Sequence, residues 1–189
     1  MTEQELVEGI VNKNESAFRE LVQLYQKQVI NTCFGFLGNY EDAQDVAQDV
    51  FIKVYESAHS FRKESKISTW IYRIAVNESI NHKKRLQRKK WLKYFDFLNQ
   101  NQTNDIENND KNYNISDAAI ELDERNSIIN KALDKLPENQ RIAFTLHKYD
   151  DIPYQQISEI MNISLSAVES LIFRAKQNLQ KYLVNYFKN

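Results

Sequence analysis

Turn chemistry is scarce in this chain, and that scarcity limits what it can fold into. All three glycines precede residue 39 and the only prolines are Pro137 and Pro153, too few reversals for a many-stranded sheet, so long helices are the natural solution. Asn14 caps a helix beginning at Glu15, in which Phe18, Leu21, Val22, Leu24, Tyr25, Val29 and Ile30 keep helical spacing until Gly35 and Gly38 end the run. Asn39 caps the next, from about Tyr40 to Ala58. Ser68 or Thr69 opens a third, running from Trp70 into a basic segment. Helical periodicity resumes near Ala118, and Pro137 at a first-turn position, followed by Glu138, starts another helix.

At 189 residues the chain accommodates one large domain or two small ones. Residues 99–114 contain seven Asn and two Gln with few apolar side chains, and such a stretch cannot bury enough surface to offset its ordering entropy. The reading is all-α: two small helical domains, 1–95 and 120–189, joined by a flexible linker, 96–119, with a helix-turn-helix in the second domain.

Composition narrows the function classes. The hydrophobic fraction of 42% is ordinary for a globular protein, no apolar run approaches the ~20 residues that span a bilayer, and the start MTEQELVEG carries acids where a secretory signal has a basic segment. A cytoplasmic protein without membrane insertion follows as the expectation. The single cysteine, Cys33, excludes an internal disulfide and a cysteine-cluster zinc site, leaving a core thiol or a reactive one. Net charge is only −1, yet Lys83 to Lys93 holds seven Lys or Arg and no acid, whereas Asp96 to Glu124 holds eight acids and one Lys. Basic residues gathered on one stretch are the footprint of phosphate binding.

The stretch Tyr154 to Leu179 has the pattern of a helix-turn-helix. Ile157 and Ile160 fit a short first helix, Asn162 takes the left-handed turn position, and Ser164 caps a second helix carrying Val168, Leu171, Ile172 and Ala175. Ser158 supplies the small residue at the crossing. The second helix then exposes Ser166, Glu169, Ser170, Phe173, Arg174 and Lys176 towards a major groove or its phosphates. Spacing alone also fits a helical hairpin with a solvated face.

Upstream lies a second, unrelated signature. Advancing 100° per residue from Trp70 places Trp70, Arg73, Asn77, Asn81, Lys84 and Arg88 in one sector. Amides read base edges, cations hold phosphates and an aromatic stacks on an unpaired base. The loop Phe61 to Ser68, with Arg62, Lys63 and Lys66, suits a nucleotide taken out of the stack. The plainer alternative makes Trp70 core and the basic tail a solubilising helix end. In the preceding helix Ala43, Val46, Ala47, Val50, Phe51 and Val54 form an apolar stripe, while Glu41, Asp45, Gln48, Asp49, Ile52 and Glu56 gather opposite. That face is either merely solvated or, because Ile52 sits among the acids, a docking surface for a basic protein helix.

These stretches, EDAQDVAQDVFIKVYESAHSFR, STWIYRIAVNESINHKKR, LPENQRIAF and the helix-turn-helix, strongly resemble extracytoplasmic-function (ECF) sigma factors of the sigma-70 family. The resemblance covers nearly the whole chain except the linker. It implies an amino-terminal region 2 domain that binds the clamp helices of the largest subunit of core RNA polymerase through Asp45, Gln48, Asp49 and Ile52. That domain reads and melts the minus-ten element with the loop Phe61 to Ser68 and with Asn77. A carboxy-terminal region 4 domain docks on the other large subunit and reads the minus-thirty-five element. Promoter DNA and an anti-sigma factor are the further partners implied, with no enzymatic activity and no cofactor. At Glu169 and Leu171 many family members carry a basic residue; here a carboxylate repels phosphate, although it accepts from cytosine N4, while Ser170, Phe173 and Arg174 match better.

Two other classes compete. A stand-alone repressor or activator explains the helix-turn-helix but neither the acidic face nor the aromatic and amide stripe. A helical hydrolase needs clustered groups, and His59, His82 and His147 lack the short spacing of zinc ligands.

Overall fold

A computed structural model describes residues 2–61, 65–99 and 127–188, with backbone alone for residues 94–99 and 187. Residues 96–99, expected as the start of the linker, belong instead to α4; the rest of the expected linker, the return of periodicity at Ala118, and Arg62 and Lys63 lie outside the described residues. Every regular element described is helical: α1 (Glu3–Val11), α2 (Glu15–Leu37), α3 (Tyr40–Ser57) with a 3-10 turn (Ala58–Ser60), α4 (Ile67–Asn99), α5 (127–134), α6 (Glu138–Asp150), α7 (Tyr154–Met161) and α8 (Leu165–Lys188).

Local chemistry sets most boundaries. Asn14 Oδ1 accepts from the amides of Ser16 and Ala17, and Asn39 Oδ1 from that of Asp42, so each satisfies amides the first turn leaves without partners. Gly38 closes α2 at φ 71°, in the left-handed region. Gly35 does not end the helix as expected; it lies inside α2, where a Cβ would meet Thr145 Cγ2 at 2.5 Å and Tyr149 Cδ2 at 3.0 Å. Its role is close approach between helices. α1 was not expected at all, although Thr2 and Glu5 make a reciprocal capping box and Leu6, Val7 and Ile10 are buried. α4 starts at Ile67, ahead of the expected Ser68 or Thr69, because the Ile67 amide donates to Glu3 Oε1 of α1 at 3.3 Å while Thr69 is buried.

The amino-terminal domain packs α1 to α4 around Leu21, Val29, Cys33, Val46, Val50, Val54, Ile67 and Ile71. α4 has two apolar faces: Ile67, Ile71 and Ala75 enter that core, whereas Tyr72 and Val76 join Phe36 of α2 in a second cluster with Ile142, Leu146, Ile157, Ile160, Val168 and Ile172. The two helical domains therefore share a core. Ala132, Leu133 and Leu136 close the far side against Ala175 and Leu179 of α8. Among the described residues no helix is long and apolar enough to cross a membrane.

Candidate nucleic-acid interface

The helix-turn-helix forms as its residues dictate. Ile157 and Ile160 of α7 are buried, Asn162 takes φ 54° and ψ 49°, and Ser164 Oγ accepts from the Ala167 amide at 3.2 Å to open α8. Val168, Ile172 and Ala175 are buried, and Ser158 is buried where the helices pack. Ser166, Glu169, Ser170, Phe173, Arg174 and Lys176 all stand exposed, and Phe173 keeps 62% of its surface in solvent. A large apolar side chain held this far out on a polar helix face offers itself to a thymine methyl or to a partner.

α3 divides as cleanly. Ala43, Val46, Ala47, Val50, Phe51 and Val54 are buried, while Glu41, Asp45, Gln48, Asp49, Ile52 and Glu56 are exposed, Ile52 by 57%. An aliphatic residue ringed by carboxylates presents both desolvation area and negative potential to a basic partner.

The α4 stripe is on one side of the helix, but the carboxy-terminal domain leans on it. Asn77, Asn81, Lys84 and Arg88 are exposed. Trp70 is half-buried and tilts against Phe61 with centroids 5.2 Å apart, so the plainer reading of this ring holds in part. Arg73 donates from Nε to the Ile160 carbonyl at 3.2 Å and from its terminal nitrogen to the Glu159 carbonyl, neutralising the carboxyl end of α7. Lys84 pairs with Glu138 at 3.0 Å. Between them Arg73, Asn77, Asn139, Met161 and Asn162 line an open cleft.

Cations absent from the expected sites tie the domains together. Lys83 and Arg141 both engage Asp134, and both donate to the Phe36 carbonyl near the end of α2. Burial presses the pKa of each cation down, and the Asp134 carboxylate opposes that. Burial also pushes the Cys33 thiol up to about 11, which identifies it as core. Among the described residues no cluster of His, Cys, Asp or Glu could hold a metal ion.

Residues 21–89, which contain α3 and the exposed stripe, match the family model for sigma-70 region 2, and residues 127–179, which contain the helix-turn-helix, match that for sigma-70 region 4. The RNA polymerase sigma-H factor of Pseudomonas aeruginosa is 31% identical, covering 96% of this chain and 93% of its own length. The ECF RNA polymerase sigma factor SigW of Bacillus subtilis is 32% identical over 94% of each. The chain belongs to the ECF family of RNA polymerase sigma factors. The sigma-E factor of Escherichia coli K12, 32% identical over 94% of this chain and 92% of its own, agrees with that placement. Among solved structures, CnrH in complex with the cytosolic domain of CnrY superposes on this sigma factor with a TM-score of 0.67 at 20% identity, covering 97% of each chain. RpoE from Bartonella quintana, solved with the anti-sigma factor NepR, gives 0.56 at 19% identity over 88% of this chain and 96% of that one. Those two likenesses carry the fold.

Proposed function

We propose that this sigma factor binds core RNA polymerase through the acidic face of α3 and confers promoter recognition on it, without catalysing a reaction itself. The observation that carries the reading is the exposure of Ile52 amid Asp45, Gln48 and Asp49, directly opposite a fully buried stripe on the same helix. What favours docking is the place of this aliphatic at the centre of an acidic face, where apolar contact and negative potential meet a basic partner together. The amino-terminal domain, to the end of α4, then holds polymerase binding and minus-ten reading, the segment from residue 100 to 119 acts as a tether, and 120–189 read the minus-thirty-five element.

On this reading Asn77 and Asn81 address bases of the melted strand, and Arg73, Lys84 and Arg88 its phosphates, with Arg62, Lys63 and Trp70 around the flipped nucleotide. Ser166, Glu169, Ser170, Phe173, Arg174 and Lys176 face the upstream duplex. The packed arrangement is a resting one: Arg73 and Lys84 are engaged by α7 and Glu138, so polymerase and promoter must draw the domains apart. An anti-sigma factor that holds them together is the natural antagonist, and the cytoplasm is the site of action. In vitro transcription with core polymerase on a genomic fragment library tests this directly. Specific initiation from a shared promoter motif is the expected result; polymerase that gains no new start sites overturns it.

A further inference from the structure

The two domains also meet along α2 and α6, on a surface to which no polymerase or promoter contact is assigned. Gly35 lets the helices close to the point where Thr145 and Tyr149 lie over its bare Cα, and the ring of Phe34 meets that of Tyr149 edge-on at 6.3 Å. One turn earlier, Thr32 of α2 faces Asp150, the last residue of α6.

The hydrogen-bond geometry there contains more acceptors than protons. Thr32 Oγ1 lies 2.6 Å from Asp150 Oδ2 and 3.0 Å from the Gln28 carbonyl. A hydroxyl has one proton, and a carbonyl only accepts. If the Thr32 proton serves Gln28, the 2.6 Å contact needs a proton supplied by Asp150. If it serves Asp150 instead, an ionised carboxylate stands in the join while its other oxygen, Oδ1, is buried with no hydrogen-bond partner among the described residues. The first arrangement satisfies both contacts; the second leaves a buried charge poorly compensated.

We propose that the join between α2 and α6 is a proton-controlled latch, in which Asp150 holds its proton more tightly while the domains are packed than when they part. Acid therefore closes this sigma factor and neutral pH loosens it. Among the described residues no cation acts on the Asp150 carboxyl to reverse the argument: Thr32 and the neutral Cys33 face it from α2, the neutral Tyr72 from α4, and the acidic Asp151 from its own chain segment.

Burial raises Asp150 from the ordinary 3.8 to about 6, the Thr32 hydrogen bond opposes that, and Asp151 adds to it. Parted domains return the carboxyl to water and to its ordinary value. Below pH ~4 both forms are protonated and pH has no effect on packing. Between ~4 and ~6 the open form ionises while the packed form does not, so packing weakens as pH rises. Above ~6 both forms ionise and the weakening is complete, roughly 100-fold in the packing equilibrium.

The test uses the full chain, free of polymerase, with its radius of gyration followed by small-angle X-ray scattering from pH 4.5 to 7.5. The wild-type chain is expected to shift towards more extended forms as pH rises, with the change complete near pH 6. Asp150→Asn, whose amide donates to Thr32 at every pH, stays compact throughout. Gly35→Val, which wedges α2 off α6, stays extended throughout, and far-UV circular dichroism reports that both variants keep their helices. A wild-type profile flat with pH, or an Asp150→Asn profile that follows the wild type, overturns the latch. The proposal rests on the reading of the packed form as the resting one, and transcription separates the two. Asp150→Asn should need several-fold more protein than wild type for half-maximal transcription at pH 7.5. If scattering behaves as stated and transcription does not change, the latch stands and the resting-form reading falls.

Discussion

Arg73 of α4 donates its Nε hydrogen to the carbonyl of Ile160, the penultimate residue of α7, at 3.2 Å. A side chain that the sequence marks for phosphate thus engages the helix-turn-helix of the same chain, and among the described residues the neighbouring amides and cations divide into those without a partner and those already engaged. Asn77 and Lys84 represent the two kinds, and their substitution should separate reading from holding.

Asn77→Ala removes a donor and an acceptor able to face a base edge, so it should change preference among minus-ten variants by ~1–3 kcal/mol. Lys84→Ala should weaken all variants alike and lower the salt dependence by about one counterion. Binding of holoenzyme to single-stranded minus-ten oligonucleotides at several salt concentrations measures both. Uniform weakening by the first with reordering by the second would reverse the assignments.

The pair Asp49→Arg and Ile52→Glu should reduce affinity for core polymerase by ~2 kcal/mol or more, since it replaces a central aliphatic contact and inverts a charge beside it. Both positions are exposed and away from the core stripe, so thermal stability should hold within ~1 kcal/mol. Undiminished binding in a competition assay against the wild-type factor would remove α3 from the interface.

Cys33 should resist thiol reagents at pH 8 in the folded chain and react promptly in denaturant, because burial holds its pKa near 11 and so suppresses the thiolate. Rapid stoichiometric labelling of the native protein would restore the reactive-thiol reading.

Ile157→Ala should destabilise the carboxy-terminal domain by ~2–5 kcal/mol, as expected for truncating a fully buried aliphatic side chain. Ser164→Ala, which removes only the cap on α8, should cost ~1 kcal/mol. Denaturant midpoints measure both, and equal effects would mean that Ile157 is not the packing centre of the helix-turn-helix.

Local signals were legible in the chain and distant ones were not. The caps at Asn14, Asn39 and Ser164 satisfy amides two or three residues away, so residue type and position suffice to read them. The two faces of α3 follow from a 3.6-residue period, and every assignment to core or solvent on that helix agrees. α1 carried its own mark in the Thr2 and Glu5 box, which acidity at the amino terminus obscured. Thr32 and Asp150 are 118 residues apart and Lys83 and Asp134 are 51 apart; such pairs leave no periodicity behind. Gly35 looked like a helix end because a missing side chain means the same thing in sequence whether the chain turns there or another helix arrives.

The second apolar face of α4 has a consequence for how the chain is made. On the ribosome the amino-terminal domain emerges first, and Phe36, Tyr72 and Val76 then lie bare until α6 to α8 follow. That platform is an adhesive surface on a nascent chain, and it is also a template on which the later helices condense. Once packed, Leu146 and Ile157 share one cluster with Tyr72 and Val76, so heating should melt both domains in a single endotherm, and separating them should split it into two.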